Sequence, residues 1–301
     1  MYLSRIRLRP EVEAVQLGLL LKDRSGYGLH RLFWGLFSDN NATECKRNFL
    51  FREEVAAEQD GRNSPRSASG RKGDPVYYVL SAAPPQENPL FDIQTKHYAP
   101  RLAEGDRLAF KLRVNAVVSR RTGENQSGGK SRVVRHDIVM DAQHQWIQDQ
   151  LDILGLQDDG AKKIRIRRIL DYATDQLVSE WRHFVAQGPY AERLEARLGR
   201  QALLQWAMRT AESRRVLKWW QDKAANHGFE VGMGKSGLPA LEVSGYRWHP
   251  LPEKHRTAGF SSLDLSGEVR VRDADKFTHM LMTGIGPAKA FGCGLMLVRR
   301  V

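Results

Sequence analysis

Tyr27 and His30 stand three residues apart in the stretch Ser25-Gly26-Tyr27-Gly28-Leu29-His30-Arg31-Leu32-Phe33-Trp34-Gly35-Leu36-Phe37. A phenol and an imidazole at this spacing share one side of a helical turn. Imidazole gains and loses protons near neutral pH, and a phenol, with a pKa of about 10, stays protonated and donates. Backbone N–H groups and the dipole at a helix start also favour an anion. Together these groups suit proton transfer at a phosphate. Taken alone, the same residues fit an ordinary helix start with a half-exposed Tyr and a solvated His, and this plainer reading is the better one on these residues only.

The helix that would carry the pair is legible. Leu29, Leu32, Phe33, Leu36 and Phe37 recur at helical spacing, so one face is buried, and Ser25 or Gly26 serves as N-cap. Around it, residues 2–9 alternate as a strand with a basic outer face. Asn48 to Val55 forms a second strand with Phe49 and Phe51 on one face, Val76 to Ala82 a third, and Phe91 to Tyr98 a weaker fourth. Residues 56–75, rich in Gly, Ser, Pro and basic side chains, read as a hairpin tip. The order β-α-β-β-(α)-β is that of a ferredoxin-like unit, a fold shared by many RNA-binding modules. Residues 99–105 read as a linker.

The chain has 301 residues and a formal net charge of +12, which favours polyanionic partners, nucleic acid first. No apolar run of about eighteen residues exists, and the N-terminus alternates instead of forming a leader-type apolar core, so neither a membrane span nor a signal peptide is expected. The two cysteines, Cys45 and Cys293, have no partner at metal spacing and read as free thiols in a reducing cytoplasm.

Asp106 to Val118 reads as one long strand that returns, after a polar turn, through Ser131 to Met140. The resulting hairpin carries Lys111, Arg113, Arg120, Arg121, Lys130, Arg132 and Arg135. It is either a ribbon that neutralises phosphates in a nucleic-acid groove or a solvated basic hairpin. From 141 to 227 the pattern is helical. Ile169, Ala173, Leu177, Trp181 and Phe184 share one face up to Gly188-Pro189. Leu194, Leu198, Ala202 and Trp206 mark another helix, and Val216, Trp219, Trp220 and Lys223 a third. Residues 232–256 read as loop. Phe260 to Val271 reads as a strand or hairpin, Asp273 to Met282 as a helix capped by Asp273, and Leu295 to Val298 as a final strand. Between those last two elements lies Gly284-Ile285-Gly286-Pro287-Ala288-Lys289-Ala290-Phe291-Gly292-Cys293-Gly294. Glycines of this kind turn backbone N–H groups toward a phosphate, and Lys289 adds charge. The loop lacks the P-loop pattern, and no zinc-type or clustered carboxylate motif occurs, so neither ATP hydrolysis nor metal chemistry is indicated.

Three segments resemble the CasE family, the CRISPR repeat-cleaving endoribonucleases of the Escherichia-type (type I-E) Cascade complex within the RAMP superfamily. Met1-Tyr2-Leu3-Ser4 followed by Tyr27-Gly28-Leu29-His30 fits the family's Y-x-x-H. Phe110-Lys111-Leu112-Arg113-Val114-Asn115 fits its F-[RK]-L-R-x-N. Gly284 to Leu295 fits G-[IV]-G-P-x-K-x-x-G-x-G-L, the longest and most specific of the three. The resemblance covers roughly residues 1–120 and 211–301. The chain departs from the pattern at Ala116, where the family has Pro, and at Val118, where it has Lys.

The resemblance implies an α+β protein of two tandem ferredoxin-like (RRM-like) domains. These are an N-terminal domain over 1–98 with the catalytic helix, and a C-terminal domain over 106–301 with a helical insertion at about 140–210 and the glycine loop 284–294. It implies a metal-independent cut at the 3′ base of a repeat stem-loop, with His30 and Tyr27 catalytic and Ser38 and Arg31 steadying the charged intermediate. RNA would be held by the basic residues named above together with Asn115, Gly284, Gly286, Lys289, Gly292 and Gly294. It implies no cofactor. Its partners would be CRISPR repeat RNA, mature crRNA and the other Cascade subunits in the cytoplasm, with no membrane. Against this stand a non-catalytic module that only holds structured RNA, a DNA-binding architectural protein, and a structural subunit of a ribonucleoprotein. The RRM stacking run K/R-G-F/Y-G/A-F-V-x-F/Y, which the first of these would carry, is missing.

Overall fold

Strand β1 (Tyr2–Leu8) sits in the middle of an antiparallel sheet because it has a partner on each side. Tyr2 pairs with Ser81 of β3 (Pro75–Ser81) and with His97 of β4 (Phe91–His97). Strand β2 (Phe49–Val55) adds outside β3, giving the order β2-β3-β1-β4. Helix α1 (Gly28–Trp34) follows β1. The computed structural model describes residues 1–9, 28–37, 49–55, 75–121, 133–234, 237–251 and 258–301.

Helix α1 covers one face of this sheet. Phe33 is fully buried, with its ring 5.2 Å from Phe51, 5.1 Å from Tyr77 and 6.2 Å from Phe91. Ile6, Leu36, Phe49 and Val79 complete that core. The opposite face is apolar too. Leu3, Leu50 and Leu80 pack against Leu295 and Leu297. The β1 face expected to be an open basic surface is therefore half covered. The second helix that the ferredoxin-like pattern allows between β3 and β4 is absent. Residues 82–90 run from β3 to β4 without helix, through Pro84-Pro85.

The second sheet has the order β11-β5-β10-β8, built from β5 (Arg107–Val114), β8 (Phe229–Val231), β10 (Gly259–Val271) and β11 (Met296–Arg300). Strand β9 (Leu241–Pro250) pairs with β10 along its edge. The arrangement repeats that of the first sheet, so the fold is α+β with two ferredoxin-like sheets. Helix α6 (Ala274–Thr283) leads into β11. Asp273 caps it, accepting from Lys276 N at 3.0 Å, as its sequence position predicts.

Three expectations are corrected. The long strand over 106–118 breaks at Asn115. Strand β5 pairs with β10 and β11, and a separate β6 (Val117–Arg121) pairs with β7 (Val133–Asp137). Lys111 and Arg113 therefore belong to the sheet and not to the basic hairpin. Second, residues 232–256 are not all loop, since β9 lies within them. Third, the helices divide elsewhere. Following α2 (Ile138–Ile153), the expected helix through Ile169 and Phe184 is split into α3 (Lys162–Tyr172) and α4 (Asp175–Ala186). Thr174 is extended there and caps α4, its Oγ1 accepting from Leu177 N at 3.2 Å. The next two expected helices are one, α5 (Arg200–Asn226), which starts only after Gly199.

By contacts the chain divides into two compact units. One holds residues 1–115, 226–232 and 240–301, and so both ferredoxin-like sheets. The other holds 116–225 and 233–239. The second unit has its own core of Trp146, Ile147, Leu151, Ile169, Leu177, Trp181, Val185, Leu203 and Leu204. In it Trp181 Nε1 donates to Gln150 Oε1 at 2.7 Å, so this buried indole N–H is satisfied inside the core. No helix among the described residues is long and apolar enough to cross a membrane.

Candidate active site

His30 lies three residues before Phe33, so both side chains point from α1 toward the first sheet. It is not a solvated histidine. Only 5% of it is exposed, and its ring stacks on Phe49 with centroids 5.0 Å apart and planes 28° apart. Trp34, one turn further along α1, closes another side at 5.8 Å. The apolar spacing that puts α1 on the sheet thus also carries the imidazole inward among aromatic rings. Arg31, the next residue, is exposed. Tyr27 and Ser38 lie outside the described residues.

The glycine loop meets this helix and strand. Its short 3-10 turn, Lys289–Phe291, touches both α1 and β2. A Cβ on Gly292 would sit 3.2 Å from the Phe51 ring, so the loop approaches the strand that supports His30 more closely than most side chains permit. Two segments far apart in the chain, the Y-x-x-H helix and the glycine loop, thereby share one site.

The loop is anchored by its own backbone. Gly284 N donates to Met280 O at 2.8 Å, Ile285 N to Gly294 O at 3.0 Å, and Gly294 N to Arg113 O at 2.8 Å. Lys289 Nζ donates to Thr283 O at 2.7 Å. At 284 and 294 the N–H groups therefore hold the loop together, a different use from the phosphate cradle expected of the glycines. The Arg113 carbonyl ties the loop to β5, so the F-[RK]-L-R-x-N strand and the glycine motif abut. Asn115, 5% exposed, ends that strand by donating from Nδ2 to Ser261 O at 2.6 Å.

Lys111 and Arg113 face a charged cluster. Arg113 makes a two-pronged bond to Asp264, Nε to Oδ1 at 3.0 Å and Nη2 to Oδ2 at 3.1 Å. Burial alone works against the Arg113 charge, but the hydrogen bond and charge of Asp264 outweigh it and hold the guanidinium above its ordinary pKa. Arg52 and Glu54, both buried on β2, bond each other. Arg52 Nη2 reaches Asp264 at 3.5 Å, and Lys111 Nζ lies 3.8 Å from Glu54. These residues and Arg247 line a cavity of about 470 Å³. Arg52 gave no sequence signal, because a lone Arg between two phenylalanines and two glutamates reads as a solvated strand residue.

Of the basic hairpin, Arg135 is exposed on β7, and the backbones of Arg120 and Arg121 form the end of β6. Lys130 and Arg132 lie outside the described residues. Among the described residues no group of three or more His, Cys, Asp or Glu is arranged to hold a metal ion.

One further cluster was not legible in the sequence. His249 on β9 stacks on Phe260 of β10, centroids 4.6 Å apart and planes 11° apart. Phe260 in turn lies 4.8 Å from Phe291 of the glycine loop. Its one possible signal, the alternation of Leu241 and Val243, is too short to define the strand that carries His249.

The family model described as CRISPR associated protein matches residues 1–180 and 180–300. No curated protein sequence matches the chain significantly. Among solved structures, the chain is similar to a CRISPR-associated protein from Thermus thermophilus, with 15% identity, a TM-score of 0.52, and 99% of this chain and 100% of that one covered. It is equally similar to the CRISPR endoribonuclease Cse3 bound to a 19-nucleotide RNA, at 17% identity, TM-score 0.52 and the same coverage. Thermus thermophilus Cse3 bound to an RNA representing a pre-cleavage complex follows, at 16% identity and TM-score 0.51, with 99% of this chain and 98% of that one covered. At these identities the structures speak for the fold, while the family model spans nearly the whole chain. By that match, and in line with its three motif segments, the chain belongs to the CRISPR-associated protein family.

Proposed function

We propose that this protein is a metal-independent endoribonuclease that binds the stem-loop of CRISPR repeat RNA in the cytoplasm. It cuts the RNA at the 3′ base of the stem and stays attached to the mature crRNA as a Cascade subunit. The observation that carries this reading is the position of His30. It is the histidine of the Y-x-x-H segment, its ring plane is set by Phe49, and the glycine loop of the most specific family motif rests on the same strand. Solved structures of similar fold include an endoribonuclease bound to RNA, which supports the substrate class.

The reaction needs little from the protein beyond position and protons. The RNA 2′-hydroxyl is held beside its own phosphorus, so attack is intramolecular. The 2′-oxygen forms a bond to phosphorus, the bond to the 5′-oxygen breaks, and the products are a 2′,3′-cyclic phosphate and a 5′-hydroxyl. One proton leaves the 2′-oxygen and one reaches the 5′-oxygen. His30 performs one of these transfers, and a fixed ring plane is what a general acid or base requires. Tyr27 orients the phosphate or donates the second proton, and Arg31 and Ser38 offset the charge on the intermediate. The stem is held by Arg120, Arg121, Lys130, Arg132 and Arg135 of the hairpin, by Lys111, and by the loop residues Gly286, Lys289 and Gly292, while Gly284 and Gly294 keep the loop in shape. Arg113 and Asn115 contribute by fixing the strand that anchors the loop.

A second reading rests on the burial of His30. A ring at 5% exposure also suits a core position in a subunit that only holds RNA. An end-labelled repeat hairpin incubated with the protein in excess EDTA separates the two. A parallel tube carries one 2′-deoxy nucleotide before the scissile phosphate. Cleavage of the first RNA and protection of the second is the expected result. Binding of both without scission would leave the RNA-holding subunit.

A further inference from the structure

The three rings His249, Phe260 and Phe291 come from β9, β10 and the glycine loop, yet they form one series with centroid spacings of 4.6 and 4.8 Å. They are not core residues, because each remains partly exposed. His249 is fixed by Ser262 Oγ, 2.8 Å from its Nε2. Burial, Arg247 and Arg113 all push its pKa down, so the ring is neutral at physiological pH and stacks as an uncharged aromatic. Arg247 lies two residues before His249 on β9, on the same face of the strand, and pairs in register with Ser262 as His249 does with Phe260. Arg113 is bonded to Asp264, and Arg247 lies on the exposed edge strand. The series ends at Phe291, in the turn that touches α1 and β2. It therefore leads from the Arg247 edge of the sheet to the site of His30.

We propose that His249, Phe260 and Phe291, with Arg247 beside them, form a stacking platform for the unpaired nucleotides that flank the scissile phosphate. The inference rests on the endoribonuclease reading above and adds a second RNA subsite to it. Partly exposed rings in series with an adjacent guanidinium are the combination that binds single strands, since every base has a face to stack and every nucleotide a phosphate. Paired nucleotides in a stem keep their faces covered, so the platform selects the flank and not the stem. The short RRM sequence run is missing because this platform is assembled from three separated segments.

The test measures dissociation constants for three RNAs, each 2′-deoxy at the scissile position so that none is cut. They are the repeat hairpin with unpaired nucleotides on both sides, the hairpin trimmed to its stem-loop, and an unpaired oligonucleotide of the flanking sequence. His249→Ala is expected to weaken the flanked hairpin and the oligonucleotide by about tenfold and to leave the trimmed hairpin unchanged. His249→Phe, which keeps the ring and loses the bond to Ser262, is expected to bind all three like the parent. Equal weakening of flanked and trimmed hairpins, no weakening of either, or loss of flank binding in His249→Phe would overturn the platform. If the parent does not cut the unmodified repeat hairpin in excess EDTA, the endoribonuclease reading fails, and the oligonucleotide still decides the platform separately.

Discussion

His30 and Phe49 lie ring on ring, with centroids 5.0 Å apart and planes 28° apart. The contact holds a titratable ring in one orientation against a side chain that is itself buried in the core of the first sheet. Replacing His30 by Ala is expected to lower single-turnover cleavage by at least about a hundredfold, the scale of a lost general acid or base. Hairpin binding should stay within about twofold. Phe49→Leu keeps an apolar residue in the core and loses the flat support. It should reduce the cleavage rate by about tenfold with little change in RNA dissociation constant, whereas Phe49→Tyr should restore it. A Phe49→Leu rate equal to the parent's would remove Phe49 as a positioning residue.

Gly284 ends α6 with φ at +73°, and a Cβ there would fall 2.8 Å from Leu50 Cδ1 and 3.0 Å from Gly294 O. The first neighbour is a movable methyl, but the second is backbone. Gly284→Ala should therefore cost about 1–3 kcal/mol, combining left-handed strain with overpacking. Urea unfolding at fixed pH measures it. An unchanged midpoint would mean that the loop shifts freely, and its link to β5 would then not position the site.

These two sites differ in how far the sequence revealed them. The His30 helix and the Phe49–Phe51 strand follow from local periodicity, since one apolar face specifies each. The glycine loop was legible as a motif, but its use was not. The sequence shows that its backbone can turn sharply and cannot show that the Gly294 N–H is spent on Arg113 O. The break at Asn115 was hidden because the alternation continues across it through Ala116 and Val118. What ends the strand is a change of partner, from β10 and β11 to β7, and partners distant in sequence leave no local trace. Strand β9 was missed because it lies at a sheet edge with most residues exposed, so burial writes almost no pattern into it. The Arg52, Arg113 and Asp264 cluster has the same origin, with one residue from each of three distant strands.

That cluster separates stability from RNA binding. Asp264 is the shared acceptor for Arg113 and the buried Arg52. Asp264→Ala should destabilise by about 1–3 kcal/mol, because it removes the fork partner of Arg113 and leaves the buried Arg52 with Glu54 alone, and Arg113→Ala by about 1–2 kcal/mol. The salt dependence of hairpin binding should not change in Arg113→Ala, since its fork is already bonded. Arg135, exposed on β7, behaves oppositely. Arg135→Ala should lower the log–log salt slope by about one and leave the unfolding midpoint in place. A reduced slope for Arg113→Ala would show that RNA displaces Asp264.

Cys293 offers a check on the loop that is independent of RNA. Its side chain is 1% exposed, and burial pushes its thiol up to about 12 from 9.0. Asp264 adds to the rise, while Arg113 and Arg52 oppose it. In a Cys45→Ser background, a thiol reagent at pH 8 should leave the folded protein nearly unlabelled and label it fully in urea. The pH dependence has a defined sign. Because the folded pKa lies above the unfolded one, the unfolded chain loses this proton first. The associated stability is complete below about pH 9 and is lost as pH rises toward 12. Tyr77 and Tyr98, also raised by burial, act in the same direction, so total stability alone does not isolate the thiol. Comparison with Cys293→Ala does, since that variant keeps both tyrosines. Its stability relative to the parent should rise steadily between pH 9 and pH 11. A constant difference over that range would mean that the thiol ionises as readily in the folded loop as in the open chain, and that the loop is not closed over it.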